Sequence, residues 1–373
     1  MVEIRDLDPS PRLLLGPGPC DAHPRVLRAM ATPLLGHLDP EFVRILDETQ
    51  ELLRQVYQTS NPLTFAISGT GTAGMETCIV NLIEAGERMV VCVNGYFGQR
   101  MSEIAQRAGA NVIVLDRPWG EAFDLNQIRA ALERHRPKVL GIVHAETSTG
   151  VLQPMMGLGA LCREFDALLL VDAVTSLGGV PVAVDAWGAD SVYSCTQKGL
   201  AAPPGLSPVT FSPRAMETIR RRKTPVQSWY LDVTLLQRYW SAERFYHHTT
   251  PISMMYALRE ALRLVVEEGL EARWVRHRRN HLALKAGLEA LGLTYVAKAE
   301  HILPVVNAVR IPAGVDDVAV RKRLLGEFGI EIGGGLGEFK GKVWRIGLIG
   351  YNSRPGVVLQ FLGALERCLA ASG

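Results

Sequence analysis

The segment Tyr193-Ser194-Cys195-Thr196-Gln197-Lys198-Gly199-Leu200 decides how this chain reads, together with Leu168-Leu169-Leu170-Val171-Asp172-Ala173-Val174 upstream of it. The upstream run is continuously apolar and ends in a carboxylate, as a strand buried on both faces does. Residues 190–194 form a second strand, and it leads into a lysine. An Asp and a Lys leaving two neighbouring parallel strands face the same end of the sheet. In open α/β sheets that is the end where ligands bind. An amine aimed at a carbonyl, beside a carboxylate aimed at a ring nitrogen, is the pair that pyridoxal phosphate requires.

Toward the N-terminus, expected strands at 63–67, 89–93, 111–115 and 139–143 alternate with helices. That alternation predicts an α/β fold with a mostly parallel, doubly wound sheet. The strand at 63–67 runs into Ser68-Gly69-Thr70-Gly71-Thr72-Ala73-Gly74 and then a helix. Free N–H groups and the dipole at such a helix start favour a phosphate. The same residues spell G-x-G-x-x-G, but a dinucleotide fold expects an acid at the end of the next strand. Here that strand ends in Asn94. A single phosphate on Thr70, Gly71 and Thr72 fits better, and a tight turn with no ligand is the plain alternative. Asn94-Gly95-Tyr96-Phe97-Gly98-Gln99-Arg100 follows, with aromatics that either stack on a planar ring or pack at a rim. The strand at 139–143 exits into His144-Ala145-Glu146-Thr147-Ser148-Thr149-Gly150, whose hydroxyls suit a cofactor oxygen, a substrate or ordinary loop capping. Gly16-Pro17-Gly18-Pro19 closes an N-terminal arm, as a simple turn or as a fixed loop that a ligand can approach closely.

Downstream of Lys198, residues 208–211 read as an antiparallel edge strand, and 180–184 just upstream as a short strand. Residues 227–251 are irregular and aromatic, which in a compact chain marks function or an interface. His247-His248 has no third ligand at suitable spacing, so no metal is expected. From Ser253 the periodicity changes to long helices and short strands, predicting a smaller C-terminal α+β domain. The expected division is an N-terminal arm at 1–20, a large cofactor domain at 21–252 and the small domain at 253–373. Arg345 sits between Trp344 and Ile346 in a strand and shares a face with Val343, which predicts a partly buried, paired guanidinium. Its partner is either a structural carboxylate or the carboxylate of a substrate.

The 373 residues carry a net charge of +2, which argues against nucleic acid or an anionic membrane surface as partner. No apolar run reaches the length of a membrane span. The six cysteines show neither disulfide nor metal spacing and read as reduced thiols of a cytoplasmic enzyme. Met1 to Asp6 does not read as a signal peptide, and Ala370-Ala371-Ser372-Gly373 does not read as a peroxisomal address.

Taken in order, Gly16-Pro17-Gly18-Pro19, Ser68-Gly69-Thr70-Gly71, Asn94 to Arg100, Glu146 to Pro154, Val171-Asp172-Ala173-Val174, Gln197-Lys198, Tyr230-Leu231-Asp232, Tyr246-His247-His248-Thr249 and Arg345-Ile346-Gly347 resemble the class V, fold-type I aminotransferases, specifically the alanine–glyoxylate / serine–pyruvate group. The resemblance runs from Leu13 to the last helix. It implies pyridoxal 5'-phosphate as cofactor, with Lys198 as Schiff-base lysine and Asp172 on the pyridine nitrogen. It implies Thr70, Gly71, Thr72 and Gln197 on the phosphate, Thr147 near the phenolic oxygen, Val174 in the cofactor site and Phe97 on the ring. Tyr96 is the alternative for the ring. Tyr246 and Thr249 would reach the cofactor of the other subunit in a homodimer. Arg345 would bind the substrate α-carboxylate with help from the Gly18 backbone. Thr72 departs from relatives that carry His at that place.

The resemblance further implies ping-pong transfer of an amino group, with Lys198 as proton shuttle. Arg345 is the one evident carboxylate clamp, which favours alanine, serine or glycine-sized donors with glyoxylate or pyruvate as acceptor. Serine–glyoxylate, pyridoxamine–pyruvate and aminoethylphosphonate aminotransferases are the nearest alternatives. A cysteine desulfurase needs a mobile late cysteine, and the late cysteine here is Cys368 within the last helix. A dehydrogenase rests on Gly69, Gly71 and Gly74 alone, and a non-catalytic interaction protein has no need of Lys198, Asp172 and Arg345 together.

Overall fold

A computed structural model describes residues 6–370. The targeting expectations for both termini draw on residues 1–5 and 371–373, which lie outside the described residues. In chain order the strands are β1 (Leu13–Leu15), β2 (Leu63–Ser68), β3 (Arg88–Val93), β4 (Asn111–Asp116), β5 (Val139–Val143), β6 (Ala145–Glu146) and β7 (Val151–Leu152). They continue with β8 (Leu168–Asp172), β9 (Ser191–Tyr193), β10 (Leu206–Phe211), β11 (Val306–Arg310), β12 (Ile330–Gly334) and β13 (Val343–Gly347).

The large sheet has the order β2-β10-β9-β8-β5-β3-β4, and within it only β10 runs against the others. This is the expected mostly parallel, doubly wound sheet. Every residue of β5 and β8 is buried, as strands covered by helices on both faces must be. β8 and β9 are parallel neighbours with Asp172 opposite Tyr193. Asp172 and the Lys198 loop therefore leave the sheet at the same edge.

Three local expectations change. β10 is not an edge strand, because it lies between β2 and β9. Pro208 cannot donate to a ladder, yet its carbonyl accepts from Ser194 N–H at 2.8 Å and from the Tyr57 hydroxyl at 2.8 Å. No strand forms at 180–184. Val180 N–H turns back to Ser176 O at 3.0 Å, Pro181 has no N–H for a ladder, and a short helix, Val184–Trp187, follows. The aromatic stretch 227–251 contains the helix Val233–Trp240. Asp232 caps it by accepting Thr234 N–H at 2.8 Å, and Val233, Leu236, Tyr239 and Trp240 form its buried face.

The second sheet has the order β1-β12-β13-β11, with β1 parallel to β12 and the remaining pairs antiparallel. This is the smaller α+β lobe. Its core gathers Leu15 of the arm with Leu288, Trp344, Ile346 and Phe361. The arm thus crosses from one lobe to the other and lays Gly16–Pro19 between them. The helix Ile252–Glu268 is built into the large lobe, with Met255, Leu258, Leu262 and Val265 in that core. Trp344 and Ile346 face the small core, so the alternation of β13 turns Arg345 the other way, toward the large lobe.

Candidate active site

One cavity of about 270 Å³ opens where the large sheet's strand ends meet the arm and β13, and Lys198 and Asp172 both line it. Gly18, Thr70, Gly71, Thr72, Phe97, Thr147, Val174, Gln197 and Arg345 complete its wall from the predicted set. Met75, Arg100 and Leu336 line it as well. A roomier cavity of about 380 Å³ lies behind the Lys198 loop, but its buried Arg273 is already paired with Glu268. Volume alone therefore does not mark the site; unpaired chemistry does.

Lys198 is 6% exposed, and its Nζ contacts Thr147 Oγ1 at 2.9 Å and Thr175 Oγ1 at 2.8 Å. The two threonine hydroxyls also bond each other. Burial disfavours the ammonium and pushes the lysine down to about 8, against the opposing pull of Cys195 and Asp172. A useful fraction of the amine is therefore neutral near physiological pH. Gly18 leaves the arm with φ +126°, and a Cβ there would stand 2.9 Å from Lys198 Cγ. Only a glycine allows the arm to close over the lysine this way.

Asp172 accepts Val174 N–H at 2.8 Å on Oδ1 and the Tyr193 hydroxyl at 2.7 Å on Oδ2. Burial raises its pKa, while these two donors and the cations Lys198 and Arg100 pull it back. The adjacent-strand register that aligns Asp172 with Tyr193 is what delivers the hydroxyl.

At the start of the helix Gly71–Leu82, Thr70 is the N-cap but makes no side-chain capping bond. The first N–H groups of that helix are thus left for a ligand. Thr72 Oγ1 accepts from Arg100 at 3.2 Å. Gln197 Oε1 is buried without a hydrogen-bond partner; with the amide turned over, its NH₂ meets an anion instead. This donor set fits a phosphate. The third glycine of the motif serves packing. A Cβ on Gly74 would lie 2.0 Å from Ser207 Oγ in β10, so the helix can sit this close to the sheet only without one.

Phe97 lines the cavity, with Lys198 Nζ 5.4 Å from its ring centroid. Tyr96 does not line it; it packs edge-on against Phe97 at 5.7 Å. The backbone that carries Phe97 is fixed by Glu146, a carboxylate with no exposed surface. Glu146 Oε2 accepts Phe97 N–H at 3.2 Å and Gly98 N–H at 3.3 Å, and so caps the helix Tyr96–Arg107. Burial raises its pKa, opposed by the hydroxyl and N–H of Ser148.

Arg345 is 8% exposed and donates from Nε to Gly334 O at 2.8 Å. Among the described residues it forms no ion pair, so the structural carboxylate considered from the sequence is not present. Burial lowers the guanidinium to about 10, partly countered by Glu146.

Tyr246 and Thr249 are not brought to this cavity. Tyr246 is 51% exposed, its ring is 5.0 Å from His37, and its hydroxyl is 3.5 Å from Thr249 Oγ1. Sequence reasoning missed Thr175, Tyr193 and Glu146. Thr175 follows Asp172 on the same loop and Tyr193 begins the decisive segment, so both were within reach of a register argument. Glu146 required knowing that strand β6 meets a distant helix start.

Comparison with known proteins agrees with this geometry. The family model described as "Aminotransferase class-V" matches residues 26–357. The solved structure of an alanine–glyoxylate aminotransferase from Nostoc sp. superposes with a TM-score of 0.97 at 56% identity, covering 99% of this chain and 98% of that one. An (S)-ureidoglycine–glyoxylate transaminase of Bacillus subtilis is 42% identical over 98% of this chain and 92% of its own length. The alanine–glyoxylate aminotransferase of Mus musculus is 43% identical over 96% of this chain and 87% of its own.

Proposed function

The chain belongs to the class-V aminotransferases, and from that premise we propose that it moves the amino group of a small amino acid, alanine or serine, to glyoxylate or pyruvate with pyridoxal 5'-phosphate as cofactor. The observation that carries the reading is a buried lysine amine and an unpaired buried guanidinium facing one cavity from two lobes. The family implies the cofactor, and the residues present suit it. Lys198 would hold it covalently, Asp172 would pair with its ring nitrogen, and Phe97 and Val174 would flank the ring. Thr70, Gly71, Thr72 and Gln197 would hold its phosphate. When bound, the cofactor supplies an electron sink for the bond broken at the substrate α-carbon.

The chain's own residues do the rest. Arg345 binds the substrate carboxylate and, with the Gly18 backbone, fixes which α-hydrogen faces Lys198. Lys198 Nζ takes that proton, being poised near neutral pH by its burial. Thr147 and Thr175 hold the amine in line between transfers. Asp172 is screened from water and its oxygens are oriented by Val174 N–H and the Tyr193 hydroxyl, so that it would pair with the ring nitrogen of the bound cofactor. The arm and β13 cover the cavity and restrict water.

The protein is further proposed to work as a homodimer in which Tyr246 and Thr249 complete the phosphate site of the other subunit. Their exposure, beside exposed Leu38, Trp229 and Phe245, supports this. Buried cysteines that form no disulfide among the described residues support a cytoplasmic setting. No helix among the described residues is long and apolar enough to cross a membrane.

The mouse alanine relative and the Bacillus subtilis ureidoglycine relative are 43% and 42% identical to this chain, while the Nostoc alanine–glyoxylate structure is 56% identical, which favours alanine and leaves ureidoglycine as the competing donor. Purified protein with pyridoxal phosphate is to be assayed with alanine, serine, glycine and ureidoglycine against glyoxylate, pyruvate and 2-oxoglutarate. Turnover of alanine or serine with glyoxylate is expected. Activity confined to ureidoglycine, or to 2-oxoglutarate as acceptor, would contradict the proposed pair.

A further inference from the structure

His247 and His248 belong to no group of three or more metal-ligating side chains among the described residues. Their hydrogen bonds nevertheless form a chain with a single consistent direction. His247 Nε2 lies 3.4 Å from Trp229 O, and only an N–H can meet a carbonyl. In a neutral ring, Nδ1 of His247 is then an acceptor. It lies 2.8 Å from His248 Nδ1, which must therefore donate. That leaves His248 Nε2 to accept from the Ser68 hydroxyl at 2.7 Å. Both imidazoles are held neutral, His247 by burial and His248, down to about 4, by burial and the neighbouring His247 and His37. Trp229 stacks on His247 with centroids 4.4 Å apart and planes 8° from parallel.

The two ends of this chain are unequal. Ser68 is already fixed, because it pairs with Leu206 in the large sheet and the next residue, Gly69, bonds Gly205 O at 3.0 Å. Residues 241–251 contain no helix or strand, and no N–H of 246–250 reaches a backbone acceptor among the described residues. The sheet end is the anchor and the 246–249 segment is what it holds. Tyr246 and Thr249, which flank the histidines, serve nothing in their own cavity.

We propose that His247 and His248 are positioning residues that tie Tyr246 and Thr249 to Ser68 and so present them, preorganised, to the cofactor phosphate of the second subunit. This rests on the shared-site reading above. It assigns the histidine pair an effect in trans: a subunit with a broken pair injures its partner's site, not its own.

The test uses the holoenzyme. Cofactor loss on dilution is followed by the visible band of Lys198-linked pyridoxal phosphate in wild-type, His248→Phe and Ser68→Ala homodimers. Both variants are expected to release cofactor about tenfold faster, as for the loss of one hydrogen bond's worth of positioning. Hybrid dimers then pair a His248→Phe chain with a Lys198→Ala chain. Only the His248→Phe chain can link cofactor, and the segment facing it comes from the intact partner. Wild-type retention in this hybrid is expected. Retention as poor as in the His248→Phe homodimer would mean an effect in cis and would overturn the proposal, as would wild-type retention in both homodimers. Should His248→Phe fail to fold, Ser68→Ala decides in the same hybrid. Tyr246→Phe is the control for the underlying reading. If it leaves retention unchanged, or if the holoenzyme sediments as a monomer, shared sites fail and the proposal falls with them. If Tyr246→Phe acts in trans and His248→Phe does not, the proposal alone falls.

Discussion

Replacing Arg345 by Met separates a substrate clamp from a structural cation, because the two roles predict opposite results in two assays. Burial has lowered the guanidinium to about 10. At ~1.4 kcal/mol per pKa unit, holding that charge in its buried position costs the fold on the order of 3 kcal/mol. Removing it relieves this cost but forfeits the bond to Gly334 O, worth about 1–3 kcal/mol once the carbonyl is left bare. The sum lies between zero and a small gain, so the urea midpoint of the cofactor-loaded enzyme without substrate should not fall. A buried structural ion pair, by contrast, loses about 3–5 kcal/mol when one partner is removed. With substrate present the sign reverses. Two charge-assisted hydrogen bonds to a carboxylate, at about 1.5–3 kcal/mol each, correspond to a ~10²- to 10⁴-fold loss of kcat/KM. Because the carboxylate is gripped before and during the reaction, most of the loss should appear as a raised KM for both amino acid and oxo acid. Arg345→Lys keeps the charge but not the fork, and should fall between the two. Steady-state kinetics with alanine and glyoxylate, beside urea unfolding, provide the readout. A destabilised Arg345→Met protein with unchanged KM would refute the clamp.

Three further outcomes follow from the same geometry. In the cofactor-free protein an amine-selective reagent should modify Lys198 with a midpoint near pH 8, read by peptide mass spectrometry; a midpoint at ordinary lysine values would show that burial does not tune this amine. The sign extends to stability: the folded state holds the Lys198 proton less tightly than the unfolded chain, so this group's penalty is fully present below about pH 8 and fades as pH rises above it. Asp172→Asn should retain cofactor but lose about 10²-fold or more in kcat, in line with the loss of a charge that only the reacting state needs; near-wild-type kcat would remove Asp172 from the mechanism. Gly74→Ala should lower stability by about 1–3 kcal/mol in urea unfolding, because a methyl 2.0 Å from Ser207 Oγ must push a buried helix off the sheet; an unchanged midpoint would mean that the helix start is looser than it looks.

The reach of the sequence follows the range of the interactions. Leu168 to Asp172 and the Lys198 loop were legible because an unbroken apolar run ending in a charge has few other meanings, and β8 and β9 are indeed adjacent. Arg345 was legible because strand alternation set it against Trp344 and Ile346. β10 was misplaced to an edge because its position depends on partners distant in sequence, strand β2 above all, and on the bonds from Tyr57 and Ser194 to the Pro208 carbonyl. The expected strand at 180–184 failed where Val180 turns back to Ser176 and Pro181 blocks pairing. The Val233–Trp240 helix was hidden by aromatic residues whose burial only the tertiary fold reveals. Glu146 was invisible as a site residue for the same reason: its meaning lies in the N–H groups of Phe97 and Gly98. In the proposed homodimer Tyr246 and Thr249 would carry meaning only for a second chain, which no single-chain periodicity encodes.

The central claim is that Lys198 carries pyridoxal phosphate and serves the amino transfer. Borohydride reduction of the cofactor-loaded protein, followed by peptide mass spectrometry, tests it most directly. The account predicts one phosphopyridoxyl group per chain on the peptide containing Lys198, and loss of that group when the protein is first incubated with excess alanine. A label on any other lysine, or a Lys198 label indifferent to alanine, would contradict it.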